Sequence, residues 1–265
     1  MFVDTHCHLD DATLFRRLPE VLARAEATGV SHFIVPGVGP DCWDDVMAVA
    51  RGRRNIFAAP GIHPMRAMLC NEEQLARLER LCCDAVAVGE IGLDYSCGIP
   101  RETQQVAFRA QLRLAVRCKL PVLIHCRKAF ADTVRILREE EVWRVGGVMH
   151  AFSGSPEIAR ECVNLGLFIG IAGPVTYDNA VRPVEVVKRI SLENLLLETD
   201  APDLTPVPHR GKLNEPAYIL RTAMKIAELK GITLEEVARV TTAGAERLFQ
   251  LKKCEEYPQR HHKCS

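Results

Sequence analysis

The segment Phe2-Val3-Asp4-Thr5-His6-Cys7-His8 joins a short apolar start to two alternating histidines. Because successive side chains of a β-strand point to opposite faces, we expect His6 and His8 on one side of the end of a first strand. Two imidazoles placed in this way can bind one divalent cation, although the pair alone also fits two ordinary polar residues. Cys7 should point to the opposite face, into the core.

A similar arrangement is repeated along the chain, where apolar, strand-like runs end at residues that can bind metals. These residues are Glu90, His125, His150 and Asp200. With His6 and His8 they give six potential ligands at equivalent positions, a pattern that unrelated polar residues do not readily produce. The sequence therefore predicts a metal site at the carboxyl ends of several strands.

The order of the apolar segments predicts the fold. About eight continuously apolar strands alternate with amphipathic helices, which is typical of a parallel sheet covered by helices and thus of the α/β class. A closed barrel is favoured over an open sheet, because the predicted ligands follow the first, fourth, fifth, sixth and eighth strands and must converge at one rim. We predict a single (β/α)8 TIM-type barrel over residues 1–253 and a polar C-terminal tail over residues 254–265.

Local signals predict where several helices begin and end. One helix is predicted for residues 12–28, ending before Gly29, because glycine is common just after helix C-termini. Asn71 and Gln74 have the spacing of a capping box, and Thr233 begins another one near the end of the chain.

The composition excludes several classes of protein. Lys plus Arg and Asp plus Glu number 34 each, so no overall charge attracts polyanions and any contact with nucleic acid must be local. No apolar run approaches the roughly 18 residues that span a bilayer, and no secretory signal is visible, so no membrane association is predicted. The eleven cysteines include no Cys-x-x-Cys pair, which indicates free thiols in a reducing cytoplasm.

The six predicted ligands define the chemistry of the site. Four imidazoles and two carboxylates without a thiolate suit Zn, Mn, Mg, Ni or Fe. Six ligands are too many for one catalytic ion with an open position, so we predict two divalent ions per chain that share Glu90 as a bridge. One ion would take His6, His8 and Asp200 in addition. The other would take His125 and His150.

Asp200 is the predicted general base, because its carboxylate can touch both a metal and an attacking water and so generate a hydroxide. Glu90 is the second predicted catalytic residue, as the bridge. His63, in a Gly-Ile-His-Pro segment, is a candidate for orienting substrate or for holding a loop. Asp4 is expected to orient a ligand imidazole.

Basic residues follow two of the predicted ligands. Arg127 lies near His125, and Arg210 and Lys212 follow Asp200. These side chains would place positive charge beside the metals, as a phosphate-bearing substrate requires. Solvated loop residues would show the same pattern.

These motifs together resemble the TatD family of metal-dependent deoxyribonucleases, within the amidohydrolase-like barrels. The matching segments cover nearly the whole chain in the order of the family: DTHCHLD, GIHP, AVGEIGLDY, PVLIHCR, GVMHAFSGS, LLLETDAP and PVPHRGKLNEP. The segments GVMHAFSGS, FIGIAGPVTY and LLLETDAPDL most resemble the YjjV-type branch.

The resemblance implies a barrel in which the six ligands divide between two metals as described above. It also implies deoxyribonuclease activity that trims the 3′ end of DNA. Two positions depart from the family, which often has an aromatic residue where this chain has Asp203 and an arginine where it has Leu213. The added negative charge and the missing positive one weigh against tight binding of DNA.

Three functions of different kinds are therefore compared. The first is a phosphodiesterase that acts transiently on single-stranded DNA ends and needs no stable protein partner. The second is a hydrolase of the same architecture that cleaves a carbon-based ester, lactone, amide or aminoacyl bond, because a binuclear centre polarises a carbonyl as well as a phosphoryl group. The third is a non-catalytic barrel that binds a partner, which the complete ligand set disfavours.

Overall fold

The computed structural model describes residues 1–251, in which eight β-strands alternate with ten α-helices. The strands are β1 (Phe2–Asp4), β2 (Val30–Pro36), β3 (Ile56–Ala59), β4 (Val88–Asp94), β5 (Val122–Arg127), β6 (Gly147–Met149), β7 (Leu167–Ile171) and β8 (Leu195–Leu197). The helices are α1 (Ala12–Phe15), α2 (Leu18–Ala27), α3 (Trp43–Ala50), α4 (Glu72–Leu81), α5 (Arg101–Cys118), α6 (Phe130–Glu139), α7 (Pro156–Asn164), α8 (Arg182–Arg189), α9 (Ile219–Lys230) and α10 (Leu234–Phe249).

The strands are parallel and form two continuous ladders, β1 to β3 and β4 to β8. Backbone hydrogen bonds join the ladders at both seams. The amide of Val86 donates to the carbonyl of Ala58 at 3.0 Å, and the amide of Thr5 donates to the carbonyl of Leu197 at 3.1 Å. The predicted α/β (β/α)8 barrel is confirmed, and its closure places the first and last strands side by side.

The interior of the barrel is packed, because seven strands and the residue before β4 each turn an apolar side chain inward. The inner layer comprises Val3, Ile34, Ala59, Ala87, Leu123, Val148, Phe168 and Leu196. Ala245 and Phe249 of α10 join this layer and close the end of the barrel where the strands begin. A larger core lies between the sheet and the surrounding helices. The site must therefore lie at the opposite end, where the strands finish.

The helix predicted for residues 12–28 is wrong in one respect, because the structure divides it into α1 and α2 at Arg16 and Arg17. Pro19 lies in the first turn of α2, and a proline cannot donate to, and clashes with, a preceding helical turn. The caps at Asn71 and Thr233 are confirmed, since their side chains accept from the amides three residues later.

The proposed boundary after residue 253 and the tail over residues 254–265 lie outside the described residues. Within residues 1–251, no helix is long and apolar enough to cross a membrane. Nine cysteines fall in that range, no disulfide joins any two of them, and Cys7 is fully buried as predicted.

Candidate metal centre

Seven side chains converge at the carboxyl ends of the strands and are called the ligand cluster here. They are His6, His8, His63, Glu90, His125, His150 and Asp200. Three overlapping groups have their potential ligand atoms within 4.8 Å of one another: His6, Glu90 and His150; His6, His8 and Asp200; and His63, Glu90 and His125. All six predicted metal ligands are therefore brought together, and His63 joins them.

His6 lies at the centre of one half of the ligand cluster. Its Nε2 is 3.4 Å from Glu90 Oε2 and 3.6 Å from Asp200 Oδ1. The Nε2 of His8 lies 3.6 Å from the same Asp200 oxygen. The alternation predicted for β1 therefore holds beyond its last residue, since both imidazoles face one carboxylate.

His150 belongs to the same half. Its ring stacks on the ring of His6 with centroids 3.4 Å apart, and its Nε2 lies 3.3 Å from Asp200 Oδ1. The sequence interpretation paired His150 with His125 instead. In the structure, His150 groups with His6 and Glu90.

The other half is organised around His125. Its Nδ1 lies 2.7 Å from Glu90 Oε1, and its Nε2 lies 3.5 Å from Asp94 Oδ2. The ring of His63 contacts that of His125 edge to face at 4.4 Å, and its Nε2 is 3.8 Å from Glu90 Oε1. Asp94 is buried and was missed by sequence reasoning. The signal was its spacing, because residues 90 and 94 share one face of β4.

Glu198 is a second residue that sequence reasoning missed. Its side chain is fully buried, and its Oε1 lies 3.1 Å from His150 Nδ1 and accepts from the amide of Ala151 at 2.5 Å. Gly170 makes room for this carboxylate, because a Cβ there would lie 2.6 Å from Glu198 Oε2. A carboxylate next to Nδ1 favours the tautomer whose Nε2 is free to bind a metal.

Asp4 has a different role from the one expected. Its carboxylate accepts from the amides of His6 and Thr199 and, at 2.6 Å, from the hydroxyl of Thr199. It therefore holds together the backbones that follow β1 and β8 rather than an imidazole ring. Burial raises the pKa of Asp4 to about 7, against these hydrogen bonds. Asp200, the residue after Thr199, has a positive φ of 58°.

The two central carboxylates are stabilised as anions. Burial alone would raise the pKa of Asp200, but neighbouring histidines, His150 foremost, hold it below its usual value. Burial also opposes ionisation of Glu90, and histidines led by His63 hold its pKa well below the usual range. The cluster therefore concentrates negative charge in a buried place, which requires cations nearby.

The pKa values of the histidines are shifted in opposite directions. Burial, assisted by the charge of His150, lowers the pKa of His6, and burial lowers that of His63 to about 4. Burial has the same effect on His150, but Glu198 and Asp200 outweigh it and raise its pKa well above the ordinary value. Neutral imidazoles are the form that binds metals.

The donors of the ligand cluster fit divalent metal ions. His6 is fully buried, yet neither of its ring nitrogens makes a hydrogen bond with residues 1–251, and the same is true of His125 Nε2. Buried polar atoms without partners call for an explanation, and an ion bound by them provides one. Nitrogen and carboxylate donors without thiolates suit Zn, Mn, Ni, Fe or Mg rather than a closed structural zinc site.

The predicted basic residues lie around the rim and outside the ligand cluster. Arg127 is exposed at the end of β5. The guanidinium of Arg210 lies 4.2 Å from the ring centroid of Tyr177. Lys212 is exposed in the segment after β8, where its carbonyl accepts from Thr205. None of these side chains touches the ligand cluster.

A parallel barrel with imidazoles and carboxylates gathered at the carboxyl ends of its strands defines the class of metal-dependent hydrolases. The comparison with protein families agrees. The model of the TatD related DNase family matches residues 3–250, so the chain belongs to the TatD family. The resemblance seen in the sequence is confirmed.

Individual relatives are similar over almost their whole length. The uncharacterized metal-dependent hydrolase YabD of Bacillus subtilis is 44% identical over 254 residues, 95% of this chain and 100% of YabD. The uncharacterized metal-dependent hydrolase YjjV of Escherichia coli is 35% identical over 255 residues, 94% of this chain and 98% of YjjV. These names and the family match establish a metal-dependent hydrolase.

Solved structures give the same result for the fold. The crystal structure of the TatD homologue YjjV from Escherichia coli has a TM-score of 0.89 and 35% identity, covering 94% of this chain and 98% of that one. A TatD family hydrolase from Entamoeba histolytica has a TM-score of 0.84 and 26% identity, covering 95% and 98%.

Proposed function

We propose that the ligand cluster binds two divalent metal ions and that the enzyme hydrolyses phosphodiester bonds at single-stranded DNA ends, as a 3′–5′ exonuclease. One observation carries the metal count. The seven residues form overlapping groups in which Glu90 belongs to two, and one catalytic ion with an open position cannot use them all. Glu90 would then lie between the two ions, with His6 and His150 on one side and His125 on the other.

Side chains of the ligand cluster would supply proton transfer and orientation of the leaving group. The ions would polarise the scissile group and lower the pKa of water, as in other two-metal hydrolases. Asp200 remains ionised at neutral pH and accepts the proton of the attacking water, then returns it to the leaving group. His63, whose Nε2 lies 3.8 Å from Glu90 Oε1, is proposed to orient the leaving group.

A phosphodiester is the proposed substrate bond because of the description of the family and because of the basic residues at the rim. Arg127, Arg210 and Lys212 supply local positive charge around the cluster, as a phosphate substrate needs. The balanced charge of the whole chain, 34 of each sign, predicts weak binding that weakens further with salt. DNA is therefore proposed as a transient substrate, without a stable protein partner.

The alternative is hydrolysis of a carbon-based ester, lactone, amide or aminoacyl bond, and one residue favours it. Asp203 is exposed, and its amide donates to the carbonyl of Asp200 at 2.8 Å. A carboxylate next to the proposed general base repels a polyanion but not a neutral carbonyl substrate. A reducing cytoplasm is proposed for either activity, because no disulfide joins any two of the cysteines within residues 1–251.

The decisive experiment compares the two substrate classes on metal-loaded protein. Protein loaded with Mn, Mg, Zn, Ni or Fe is assayed on single-stranded DNA and on a panel of esters, lactones and amides. Asp200→Asn should lower the turnover of DNA by about 10²–10⁴-fold while binding persists. Asp203→Asn is the matched control, since it removes a neighbouring carboxylate outside the ligand cluster, and it should cleave DNA at least as fast as wild type.

Two results would overturn the nuclease proposal. In the first, wild type and Asp200→Asn give the same background on DNA, while an ester or amide is cleaved by wild type only. In the second, every substrate is left intact by wild type with every metal. The first result establishes the carbonyl alternative, and the second favours a non-catalytic barrel.

A further inference from the structure

A cavity of about 400 Å³ opens between the segments that follow β1 and β8. This volume lies in the range of small-molecule sites. The residues of its lining that matter here are Thr13, Leu14, Arg17, Lys212, Asn214 and Tyr218. We call this cavity the Arg17 pocket.

One wall of the Arg17 pocket is joined by hydrogen bonds to the chain around Asp200. Asn214 forms part of its wall, and the side-chain amide of Asn214 donates to the carbonyl of Thr199 at 2.9 Å. Its backbone amide donates to the carbonyl of Pro202 at 3.0 Å, so Asn214 holds the chain on both sides of Asp200. On the other wall, α1 follows His8 after a turn closed by a hydrogen bond from the Asp11 amide to the His8 carbonyl.

The pocket has an excess of positive charge. Arg24 in its wall is neutralised by Glu215, whose Oε2 lies 2.6 Å from Arg24 Nη2. Arg17 and Lys212 make no ion pair with any residue in the described range 1–251. They come from the two different walls, so two unpaired cations border one cavity, an arrangement that suits a doubly charged anion.

The remaining lining is suited to an organic group rather than to a bare ion. Leu213 gives exposed apolar surface above the buried Leu14 and Val21, and Tyr218 also lines the cavity. Tyr218 is held in place by stacking on His209, with centroids 4.0 Å apart. Two cations in a cavity that also offers an exposed leucine and an aromatic ring suit a phosphate attached to an apolar or planar moiety.

We propose that the Arg17 pocket binds a phosphate-bearing organic group of the substrate, with Arg17 and Lys212 on the phosphate. This inference rests on the proposed function in that it takes the phosphate-bearing group to belong to the substrate hydrolysed at the ligand cluster. It does not depend on which bond is cut. It makes Arg17, which no motif singled out, a determinant of substrate specificity.

The test measures equilibrium binding to metal-loaded full-length protein, with thymidine monophosphate, thymidine and inorganic phosphate as probes. The variants are Arg17→Gln and Lys212→Gln. Arg16→Gln is the matched control, because Arg16 is the exposed neighbour outside the pocket lining. The metals are present in every sample, so their attraction for phosphate cancels when variants are compared.

We expect each pocket variant to bind the monophosphate about tenfold more weakly, as expected for one charge-assisted hydrogen bond. Thymidine binding should be unchanged in both variants, and Arg16→Gln should bind the monophosphate like wild type. Inorganic phosphate should bind more weakly than the monophosphate. Circular dichroism and thermal unfolding establish that the variants fold.

Three results would overturn the proposal: equal affinity of wild type and both pocket variants for the monophosphate, an equal loss in Arg16→Gln, or inorganic phosphate binding as tightly as the monophosphate. The readout is independent of turnover. If DNA is not hydrolysed but the variants lose monophosphate binding, the nuclease proposal fails and the pocket assignment stands. If DNA is hydrolysed and the variants bind normally, the reverse holds.

Discussion

The imidazole rings of His6 and His150 lie parallel within 17°, with their centroids 3.4 Å apart. His6 follows β1 and His150 follows β6, so the contact exists only because the barrel closes. Both rings also approach Asp200 Oδ1, at 3.6 and 3.3 Å. Two stacked imidazoles that face one carboxylate could bind the same metal ion. This contact places His150 beside His6 rather than beside His125.

Metal content tests this division directly. Wild type should bind two ions per chain when metal is supplied, because the ligand cluster exceeds the needs of one open ion. Glu90→Ala should weaken both sites, since Glu90 belongs to two groups of ligands. His125→Ala should empty mainly one site. Elemental analysis after removal of free metal gives the stoichiometry.

His209→Ala is the control for metal content, because His209 is a histidine of the rim that contacts Tyr218 and not the ligand cluster. It should leave the stoichiometry at the wild-type value. A wild-type stoichiometry that never exceeds one ion per chain would refute the binuclear centre.

Glu198 should control metal affinity without being a ligand. Glu198→Ala removes the carboxylate next to His150 Nδ1 and should weaken metal binding by about 10–100-fold, the usual effect of losing such a partner. Glu198→Gln keeps an oxygen that can accept from the ring and from Ala151, so it should retain more of the affinity than Glu198→Ala. Calorimetric titration of the apo-protein with metal measures both.

Thermal unfolding of the metal-free proteins separates this role from a general loss of structure. Glu198→Gln should unfold close to the wild-type temperature. If both variants bind metal like wild type, Glu198 has no part in orienting His150.

Arg210 should affect substrate binding more than turnover. Its guanidinium lies over the ring of Tyr177 at the rim, away from the ligand cluster. Arg210→Ala should therefore raise KM several-fold with little change in kcat, as expected when an interaction present equally in the ground and transition states is removed. Steady-state kinetics on single-stranded DNA at low salt measure both constants. A fall in kcat at constant KM would show instead that Arg210 acts on the transition state.

His32 makes the fold sensitive to acid at a place remote from the ligand cluster. It stacks on Phe57 in β3, its Nε2 is buried without a hydrogen bond within residues 1–251, and burial lowers its pKa. Below the ordinary value of 6.5 the unfolded chain takes up a proton at His32 that the native state resists. Stability is therefore lost as the pH falls from 6.5 towards the lowered native pKa.

His32→Leu removes this contribution. Urea unfolding at pH 7.5 and at pH 5.5 should show a smaller loss of free energy of unfolding in His32→Leu than in wild type. The difference between the two proteins cancels the contributions of the other histidines. An equal loss in both would mean that His32 is protonated as easily in the native state as in the unfolded chain.

The sequence by itself determined the class of fold and the identity of the main ligands. Continuous apolar strands alternating with helices require burial on both faces of a parallel sheet, and this pattern is local. His6, His8 and Asp200 could be found because each follows such a strand, and Glu90 because it comes directly after the apolar run 85–88; parallel strands finish at one rim. The break between α1 and α2 was also readable in principle, from Pro19.

Only the tertiary structure decided which ligands face one another and what supports them. Which strand ends adjoin across the barrel depends on its closure, so sequence order could not reveal that His150 stacks on His6. Glu198 looks like an ordinary carboxylate in the chain, and its contact with His150 depends on how the segments after β6 and β8 meet. The Arg17 pocket likewise depends on two segments distant in sequence, which meet because β8 lies next to β1.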